Sequence, residues 1–324
     1  MAKLRRLGQS DLYLSPLGLG TWQFGNDTRI IWNKVDGHLI RDILDYSLNH
    51  GINWLDTAEI YGRGTSESFL GQEIMNLIKE KRIHEAPALA TKWFPLLRSA
   101  RTIDGAVSQQ LKRLRTASID LYQIHQPTSI SSLHEQIKVL ADLLHQHKIK
   151  NIGVSNFTAK QMIKADELLK DYGIRLVSNQ VKYNLLDRHI ERKGVLDAAK
   201  ERGISLIAYS PLRQGYLTGR FHDNPDLINQ VGLTRKLGSR MSKRNIEETR
   251  PLIELLRKIG QNYEKTPAQV ALNWLIHAHG DTVLAIPGAS KLSQAQSNVQ
   301  AQDFCLSQTE IDQLDSLSRQ VAIW

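Results

Sequence analysis

Four side chains that can handle protons or charge follow short apolar runs in the first 125 residues. Asp56 ends the apolar run 52–55, and Tyr61 follows five positions later in a glycine-flanked loop. Lys92 ends a second run and His125 a third. Each alone has an ordinary structural interpretation, such as a turn former or a satisfied core histidine. Their recurrence at successive run ends predicts instead that all four converge on one small volume.

Together these side chains suit proton donation to an oxygen. A phenol with a free pKa of about 10 is a weak acid near neutrality, and a nearby ammonium such as Lys92 stabilises its phenolate. Asp56 can hold that lysine and compensate its burial. His125 can orient a substrate oxygen without changing charge. Because neither a nucleophilic Ser or Cys arrangement nor a carboxylate pair accompanies them, the set indicates carbonyl reduction, with hydride from a cofactor.

The elements that must position these residues recur in a regular pattern. Short apolar runs bounded by turn signals alternate with longer segments of helical spacing, which predicts parallel strands joined by right-handed helical crossovers. About eight such units predict a (β/α)8 TIM barrel, whose chemistry collects at the carboxyl ends of the strands. The runs are LSPLGLGT, INWLDTA, PALATKW, IDLYQIH, KNIGVS, LVSNQVKYN, SLIAYSPL and TVLAIPGA.

We expect one barrel domain over residues 1–324. Its predicted additions are an N-terminal hairpin, an insertion at 213–247 after strand seven, a helix near 267–279 and a C-terminal segment at 307–319. A doubly wound open sheet is the rival architecture. It is disfavoured because LGLGTWQFG after the first run lacks the G-x-G-x-x-G spacing.

Composition narrows the function classes. The single cysteine, Cys305, excludes an intramolecular disulfide and favours a reducing compartment, so we expect a cytoplasmic protein. No signal-peptide core or apolar run of spanning length predicts secretion or a membrane span. The net charge of +9 is not accompanied by a nucleic-acid-binding signature. The basic stretch TRKLGSRMSKRNIEETR is interpreted either as a solvated loop or as a flap over phosphates.

The motifs LGLGTW, LDTAEIYG, LATKW, DLYQIHQP, GVSNF, NQVKYNLL, AYSPL and AIPGAS occur in this order. On them the sequence resembles the aldo-keto reductases over nearly its entire length, and YSPL and IPGAS are closer to the potassium-channel-beta-like and bacterial branch. The resemblance implies a tetrad of Asp56, Tyr61, Lys92 and His125 with Tyr61 as proton donor. It also implies extended NADP(H), bound without a Rossmann motif.

The resemblance carries a cofactor site onto this chain. Ser155, Asn156 and Gln180 would hold the carboxamide, and Tyr209 would stack on the nicotinamide. The resemblance implies that the pyrophosphate contacts Ser210, Leu212, Gln214, Gly215, Leu217 and Arg220. It implies that the 2′-phosphate contacts Gly288, Ala289, Ser290, Lys291 and Gln294, and that the adenine contacts Asn298. Other parts of the cofactor would contact Gly20, Thr21, Trp22, Asp56, Pro211 and Ile286. Ser297 stands where relatives commonly have glutamate.

Substrate contacts are expected from Trp22, Tyr61, Trp93 and His125. Trp22, Trp93 and Phe94 are interpreted equally as an apolar substrate wall or as packing. The expected activity is NADPH-dependent, reversible reduction of an aldehyde or ketone, without a metal; sugars and pyridoxal-like aldehydes stay open as substrates. The alternative is a cofactor-sensing or regulatory binding protein with slow turnover. The sequence does not determine the oligomeric state.

Overall fold

A ring of eight short parallel strands forms the centre of the molecule. The computed structural model describes residues 3–25, 36–232 and 242–321. After a hairpin of β1 (Arg5–Arg6) and β2 (Tyr13–Leu14), the ring strands pair in chain order. They are β3 (Leu19–Gly20), β4 (Trp54–Asp56), β5 (Ala88–Trp93), β6 (Leu121–Ile124), β7 (Ile152–Ser155), β8 (Ser178–Lys182), β9 (Ser205–Tyr209) and β10 (Val283–Ala285).

Backbone hydrogen bonds between the first and last ring strands close the barrel. Leu17 and Gly20 form parallel bridges with Ala285 and Gly288. The amide of Gly18 donates to the Ala285 carbonyl at 2.8 Å, and the amide of Ala285 donates to the Pro16 carbonyl at 2.9 Å. The predicted (β/α)8 barrel and its N-terminal hairpin are confirmed.

Helices follow the strands and cover the barrel. Several begin with a capping box, at Ser132, Thr158 and Thr266, where a hydroxyl and a Glu or Gln side chain satisfy the first backbone amides. The helices are α1 (Gly37–Asn49), α2 (Thr65–Lys79), α3 (Ile103–Leu114), α4 (Leu133–His145), α5 (Ala159–Lys170), α6 (His189–Arg192), α7 (Val195–Arg202), α8 (Arg220–Asp223), α9 (Lys243–Tyr263), α10 (Pro267–His277), α11 (Leu292–Gln300) and α12 (Gln308–Val321).

The predicted insertion at 213–247 begins with 3-10 turns at Arg213–Thr218 and Pro225–Gln230 on either side of α8, and it ends in the first turn of α9. Arg235, Lys236 and Arg240 of the predicted flap lie outside the described residues. Lys243 and Arg244 lie in the first turn of α9, and they pair with Asp226 at 3.2 Å and with Glu248 at 2.7 Å. In the described segments, no helix is both long and apolar enough to cross a bilayer.

Alternation along the strands separates two cores. Outward side chains such as Leu55, Leu89 and Tyr122 pack with the helices in the larger core. The smaller core fills the barrel interior, and the hairpin residues Leu7 and Leu14 belong to it. Its strand residues include Trp54, Ala90, Leu121, Ile207 and Leu284. Asp56 and Lys92 are two residues beyond Trp54 and Ala90, so they face the same interior, near the carboxyl ends.

Candidate active site

Asp56 and Lys92 form a buried ion pair on the adjacent strands β4 and β5. The Lys92 ammonium donates to Asp56 Oδ1 at 2.5 Å and to the Thr57 carbonyl at 2.8 Å. The two side chains are 1% and 0% exposed, respectively. Burial by itself lowers the pKa of Lys92, but Asp56 and Tyr61 outweigh it, and the pKa is raised overall. Lys92 is therefore a fixed positive charge.

The second carboxylate oxygen of Asp56 is held by two amides from across the barrel. Gln180 Nε2 donates to Asp56 Oδ2 at 2.8 Å, and Gln123 Nε2 donates to the same oxygen at 3.4 Å. Gln180 is one of the predicted site residues, whereas Gln123 is not. The missed signal is its position two residues before His125 and two after the inward-facing Leu121.

Tyr61 lies beside this ion pair on a tight turn at the mouth of the barrel. Lys92 Nζ is 5.2 Å from the centroid of the phenol ring. Gly62 in that turn has φ +58°, and a Cβ there would lie 2.8 Å from the Cα of Gly25, so glycine is required. Burial raises the pKa of Tyr61 more than the Lys92 charge lowers it, and the net shift is upward. The phenol therefore keeps its proton at neutral pH.

His125 follows β6 and presents its ring edge to Tyr61. The two ring centroids are 6.1 Å apart at 81°. Burial and then the charge of Lys92 lower the pKa of His125 to about 3. The imidazole is therefore neutral, and its buried Nδ1 has no hydrogen-bond partner among the described residues. A neutral ring next to a protonated phenol can orient an oxygen between them.

A cavity of about 1360 Å³ opens at the carboxyl ends of the strands and continues toward α11. Tyr61 and His125 line it, whereas Lys92 lies fully buried behind them. Of the predicted cofactor residues, the following line the cavity: Gly20, Thr21, Trp22, Asp56, Ser155, Asn156, Gln180, Tyr209, Ser210, Pro211, Leu212, Gln214, Gly215, Arg220, Ile286, Gly288, Ser290, Lys291, Gln294 and Asn298.

The middle of the cavity wall is a hydrogen-bonded row. Ser155 Oγ donates to the Gln180 carbonyl at 2.9 Å, and Asn156 Nδ2 donates to Ser155 Oγ at 3.0 Å. The hydroxyl of Tyr209 donates to Asn156 Oδ1 at 3.0 Å. Asn156 adopts φ +61°, which asparagine tolerates better than most residues. These hydrogen bonds hold the side chains of Asn156 and Tyr209 in place on the cavity wall.

The loop that follows β9 is built from left-handed backbone. Ser210 and Gln214 have φ +52°, and Gly215 has φ +91°. The guanidinium of Arg220 lies against Gly215, since an added Cβ there would be 3.2 Å from Arg220 Nη2. This concave turn beside an arginine suits an anionic group. Leu217 is fully buried, and its amide donates to the Leu212 carbonyl at 3.3 Å. Unlike the other residues predicted to contact the pyrophosphate, Leu217 does not line the cavity.

The far end of the cavity is the start of α11. Lys291 occupies the N-cap position of this helix and lines the cavity. The amide of Ser290 donates to Gln294 Oε1 at 2.8 Å, and Asn298 Nδ2 donates to the Gly288 carbonyl at 3.4 Å. A lysine at a helix N-terminus favours an anion. Ala289 is 1% exposed and does not line the cavity, although it is predicted to contact the 2′-phosphate.

The aromatic residues expected at the substrate end separate into two groups. Trp22 and Phe94 line the cavity, and the Phe94 ring meets the His125 ring at 5.6 Å. Trp93 points outward, is 0% exposed and donates from Nε1 to Thr102 Oγ1 at 3.2 Å. Trp93 is therefore not among the residues that line the cavity, because strand alternation turns it away from the side that Lys92 faces.

The chain is similar to known proteins over most of its length. The model of the aldo/keto reductase family matches residues 16–319. The chain belongs to the aldo/keto reductase family. An uncharacterised oxidoreductase of Mycobacterium tuberculosis is 37% identical over 306 residues, which cover 94% of this chain and 90% of that protein.

Solved structures of the family share the barrel. A glycerol dehydrogenase from Gluconobacter oxydans has a TM-score of 0.81 at 26% identity, covering 99% of this chain and 96% of that one. An aldo-keto reductase from Klebsiella pneumoniae in complex with NADPH has a TM-score of 0.74 at 28% identity, covering 98% and 95% of the two chains. The chain is thus an aldo/keto reductase family member with the family's fold.

Proposed function

We propose that this aldo/keto reductase reduces an aldehyde or ketone to the alcohol, reversibly, with NADPH as the cofactor. The observation that carries the proposal is the buried Asp56–Lys92 pair beside Tyr61 at the cavity wall. A fixed ammonium next to a protonated phenol suits general-acid donation to a carbonyl oxygen.

The residues along the cavity fit an extended, anionic dinucleotide. The charge of the wall illustrates the fit, because the basic side chains Lys182, Arg220 and Lys291 all line the cavity. Asn156 and Tyr209 would hold the nicotinamide end, the turn at Gly215 the pyrophosphate, and Lys291 the 2′-phosphate. When bound, the cofactor supplies the hydride to the carbonyl carbon.

The chain's own residues manage the proton. Tyr61 donates its hydroxyl proton to the carbonyl oxygen, and Lys92 stabilises the phenolate that this leaves. Asp56 keeps Lys92 in place. His125 stays neutral throughout, and its ring orients the carbonyl oxygen toward Tyr61. In the direction of alcohol oxidation the same phenolate accepts the proton.

A cofactor-sensing protein with slow turnover is the second candidate. It is supported by the prearranged wall around Asn156 and Tyr209, which suits tight retention as well as it suits catalysis. Single-turnover measurement of hydride transfer separates the two, because a sensor would hold NADPH tightly and transfer hydride slowly.

A screen of aldehydes, ketones, sugar aldehydes and pyridoxal-like aldehydes with NADPH and NADH tests the proposal. Tyr61→Phe should lower turnover by at least about 100-fold, the usual range for loss of a general acid, with NADPH affinity little changed. Unchanged turnover in this variant, with chemistry rate-limiting, would falsify the assignment of Tyr61.

A further inference from the structure

We propose that Glu59 and Arg98, called here the loop clamp, set the position of the Phe94 wall against the proton-donating residues. The inference rests on the proposed carbonyl reduction, and it makes Glu59 and Arg98 positioning residues for the carbonyl substrate. Neither residue lines the cavity. They act through the backbone that carries the residues which do.

One oxygen of Glu59 holds the beginning of the loop after β5. Glu59 Oε1 accepts from the backbone amide of Phe94 at 2.5 Å and from Arg98 Nη1 at 2.6 Å. Arg98 Nη1 also donates to the Phe94 carbonyl at 3.1 Å. Both backbone polar groups of Phe94 are therefore held by the clamp. Charge-assisted hydrogen bonds of this kind are stronger than neutral ones.

Arg98 extends the contact to a third loop. Its own carbonyl accepts from Ser129 Oγ at 2.8 Å and from the Ile130 amide at 3.3 Å. Its guanidinium lies 5.5 Å from the ring centroid of Trp93, which packs in the outer core. The clamp thus joins the loops that follow β4, β5 and β6. These loops carry Tyr61, Phe94 and the stretch beyond His125.

The clamp lies close to the reacting groups without touching the cavity. Glu59 is two residues before Tyr61, and Ile60 between them lines the cavity. Phe94 meets His125 edge-on at 5.6 Å. Glu59 and Arg98 therefore maintain the distance between the Tyr61 turn and the Phe94 wall. A carbonyl compound placed between Tyr61 and His125 has Phe94 as its neighbour.

Ordinary surface ion pairs contribute little, and this pair differs from them in two respects. The Glu59 and Arg98 side chains are 14% and 33% exposed, so solvent screens them only in part. Their partners are backbone groups of a cavity-lining residue. If the pair is broken, we expect the Phe94 wall to shift and the carbonyl of the substrate to be misaligned. We expect the cofactor wall on β7 to β9 to stay as it is.

The test compares Glu59→Ala and Arg98→Ala with a matched control, Lys148→Ala. Lys148 pairs with Asp104 at 2.7 Å and its side chain is also 33% exposed, but it precedes β7 at the opposite end of the barrel. Both clamp variants should lose about tenfold in kcat/KM for an aromatic aldehyde, since misplacement by about an ångström costs up to about 100-fold. NADPH affinity should stay within about twofold, and the control should lose nothing.

A double-mutant cycle with Phe94→Ala shows whether the clamp acts through that residue. Arg98→Ala should cost much less in the Phe94→Ala background than in the unmodified protein, because contacting positions are not additive. Full additivity, or an equal loss in Lys148→Ala, would overturn the inference. A weakened NADPH affinity that accounts for the whole loss would overturn it as well.

Amide hydrogen exchange gives a reading that needs no turnover. Exchange at the Phe94 amide, which donates to Glu59, should speed up in Glu59→Ala and not in Lys148→Ala. Unchanged protection at Phe94 contradicts the clamp. Absence of carbonyl turnover in the unmodified protein counts against the proposed function instead, and the exchange experiment still decides the clamp.

Discussion

At the residue scale, Tyr61 is subject to two opposing effects. Burial raises the pKa of its phenol, and the charge of Lys92 lowers it. The sequence predicts that Lys92 stabilises the phenolate, which by itself would lower this pKa. The net shift is upward because the ring is buried beside the carboxylate of Asp56, which raises the pKa further. A proton donor benefits from this balance, since it must hold its proton at neutral pH.

The first prediction removes the Lys92 charge. In Lys92→Met the effect that lowers the Tyr61 pKa is lost, so the alkaline limb of the kcat/KM profile for carbonyl reduction should move to higher pH. The rate should fall by about 100-fold or more. Lys150→Met, which removes a lysine paired with Asp120 at 2.8 Å at the other end of the barrel, serves as control. An unmoved alkaline limb in Lys92→Met would separate Lys92 from the titration of Tyr61.

Asp56 should act as one unit with Lys92. Asp56→Asn removes the charge that keeps the buried lysine protonated, so the rate should fall in this variant too, but less than in Lys92→Met. In free energy, the Asp56→Asn and Lys92→Met double variant should lose less than the sum of the two single losses. A simple sum, measured from kcat/KM, would show that the two residues act independently.

His125 supplies a prediction about stability. Its pKa is lowered to about 3 in the folded protein, against about 6.5 when unfolded. The unfolded chain therefore binds more protons between these values, and stability is lost as pH falls through this window. From pH 7 to pH 5 this residue should contribute roughly 2 kcal/mol of the loss.

Denaturant unfolding of His125→Asn and of the unmodified protein at pH 5, 6 and 7 measures this contribution. The variant should show a smaller loss toward pH 5. His222, whose pKa burial lowers to about 4, contributes in the same direction in both proteins and so cancels from the difference. Parallel pH dependences in the two proteins would mean that His125 is not a neutral buried group.

At the element scale, strand alternation explains what the sequence could and could not predict. The eight apolar runs correspond to the eight ring strands, and the side chains at their ends converge as expected, because parallel strands share one carboxyl edge. Trp93 was placed at the mouth although its neighbour Lys92 faces inward. Gln123 was overlooked although it shares the face of His125. Period-two alternation, applied residue by residue, resolves both cases.

Other features depended on contacts between elements that the sequence does not reveal. The run LSPLGLGT forms only the two-residue strand β3, because Pro16, Leu17 and Gly18 are used to close the barrel against Ala285. The burial of Leu217 and Ala289 likewise follows from tertiary packing: both belong to the larger core, and the turn that carries Leu217 contacts α10. The clamp formed by Glu59 and Arg98 joins residues 39 positions apart.

The start of α11 carries the next prediction, which concerns the choice of cofactor. Lys291 is at the helix N-terminus and lines the cavity, and a charge-assisted hydrogen bond to a phosphate contributes about 1.5–3 kcal/mol. NADPH should therefore bind at least about tenfold more tightly than NADH. Lys291→Ala should erode that preference while NADH affinity stays nearly unchanged.

Arg244→Ala is the matched control for Lys291→Ala. Arg244 is 85% exposed in the first turn of α9 and pairs with Glu248, so its removal should leave the ratio of the two affinities as it is. Neutralising Arg240 together with Arg244 should weaken both cofactors or neither if the basic stretch is a flap. Equal dissociation constants for NADPH and NADH in the unmodified protein would show that Lys291 does not recognise the 2′-phosphate.

At the scale of the whole molecule, the net charge of +9 is best understood through where the basic side chains lie. Many are paired at the surface or between helices, as Arg113 is with Glu67 and Arg175 with Asp166. Arg220, Lys291 and Lys182, the last of which also pairs with Asp187 at 3.2 Å, line the large cavity at the barrel mouth. Such a distribution favours an anionic small ligand inside the barrel mouth over a polyanion on its outer surface.

That cavity also draws on distant parts of the chain. Its walls include Gly20 from the first ring strand, Asn156 and Tyr209 from the middle of the barrel, and Asn298 from α11. A ligand that spans them contacts elements which separate on unfolding. Binding to the folded state alone stabilises it by RT ln(1 + [L]/Kd), about 2.7 kcal/mol at 100 times Kd.

The last prediction is therefore a thermal one. At 100 times its Kd, NADPH should raise the Tm by about 4 °C, since about 1 kcal/mol corresponds to roughly 1.5 °C for a chain of this size. NADH at the same concentration should raise it less. Tyr61→Phe should keep the full shift, because its hydroxyl acts on the substrate, whereas Lys291→Ala should lose the difference between NADPH and NADH. If saturating NADPH leaves the Tm where it was, while fluorescence shows that it is bound, binding is not restricted to the folded barrel and the cavity does not bridge these elements.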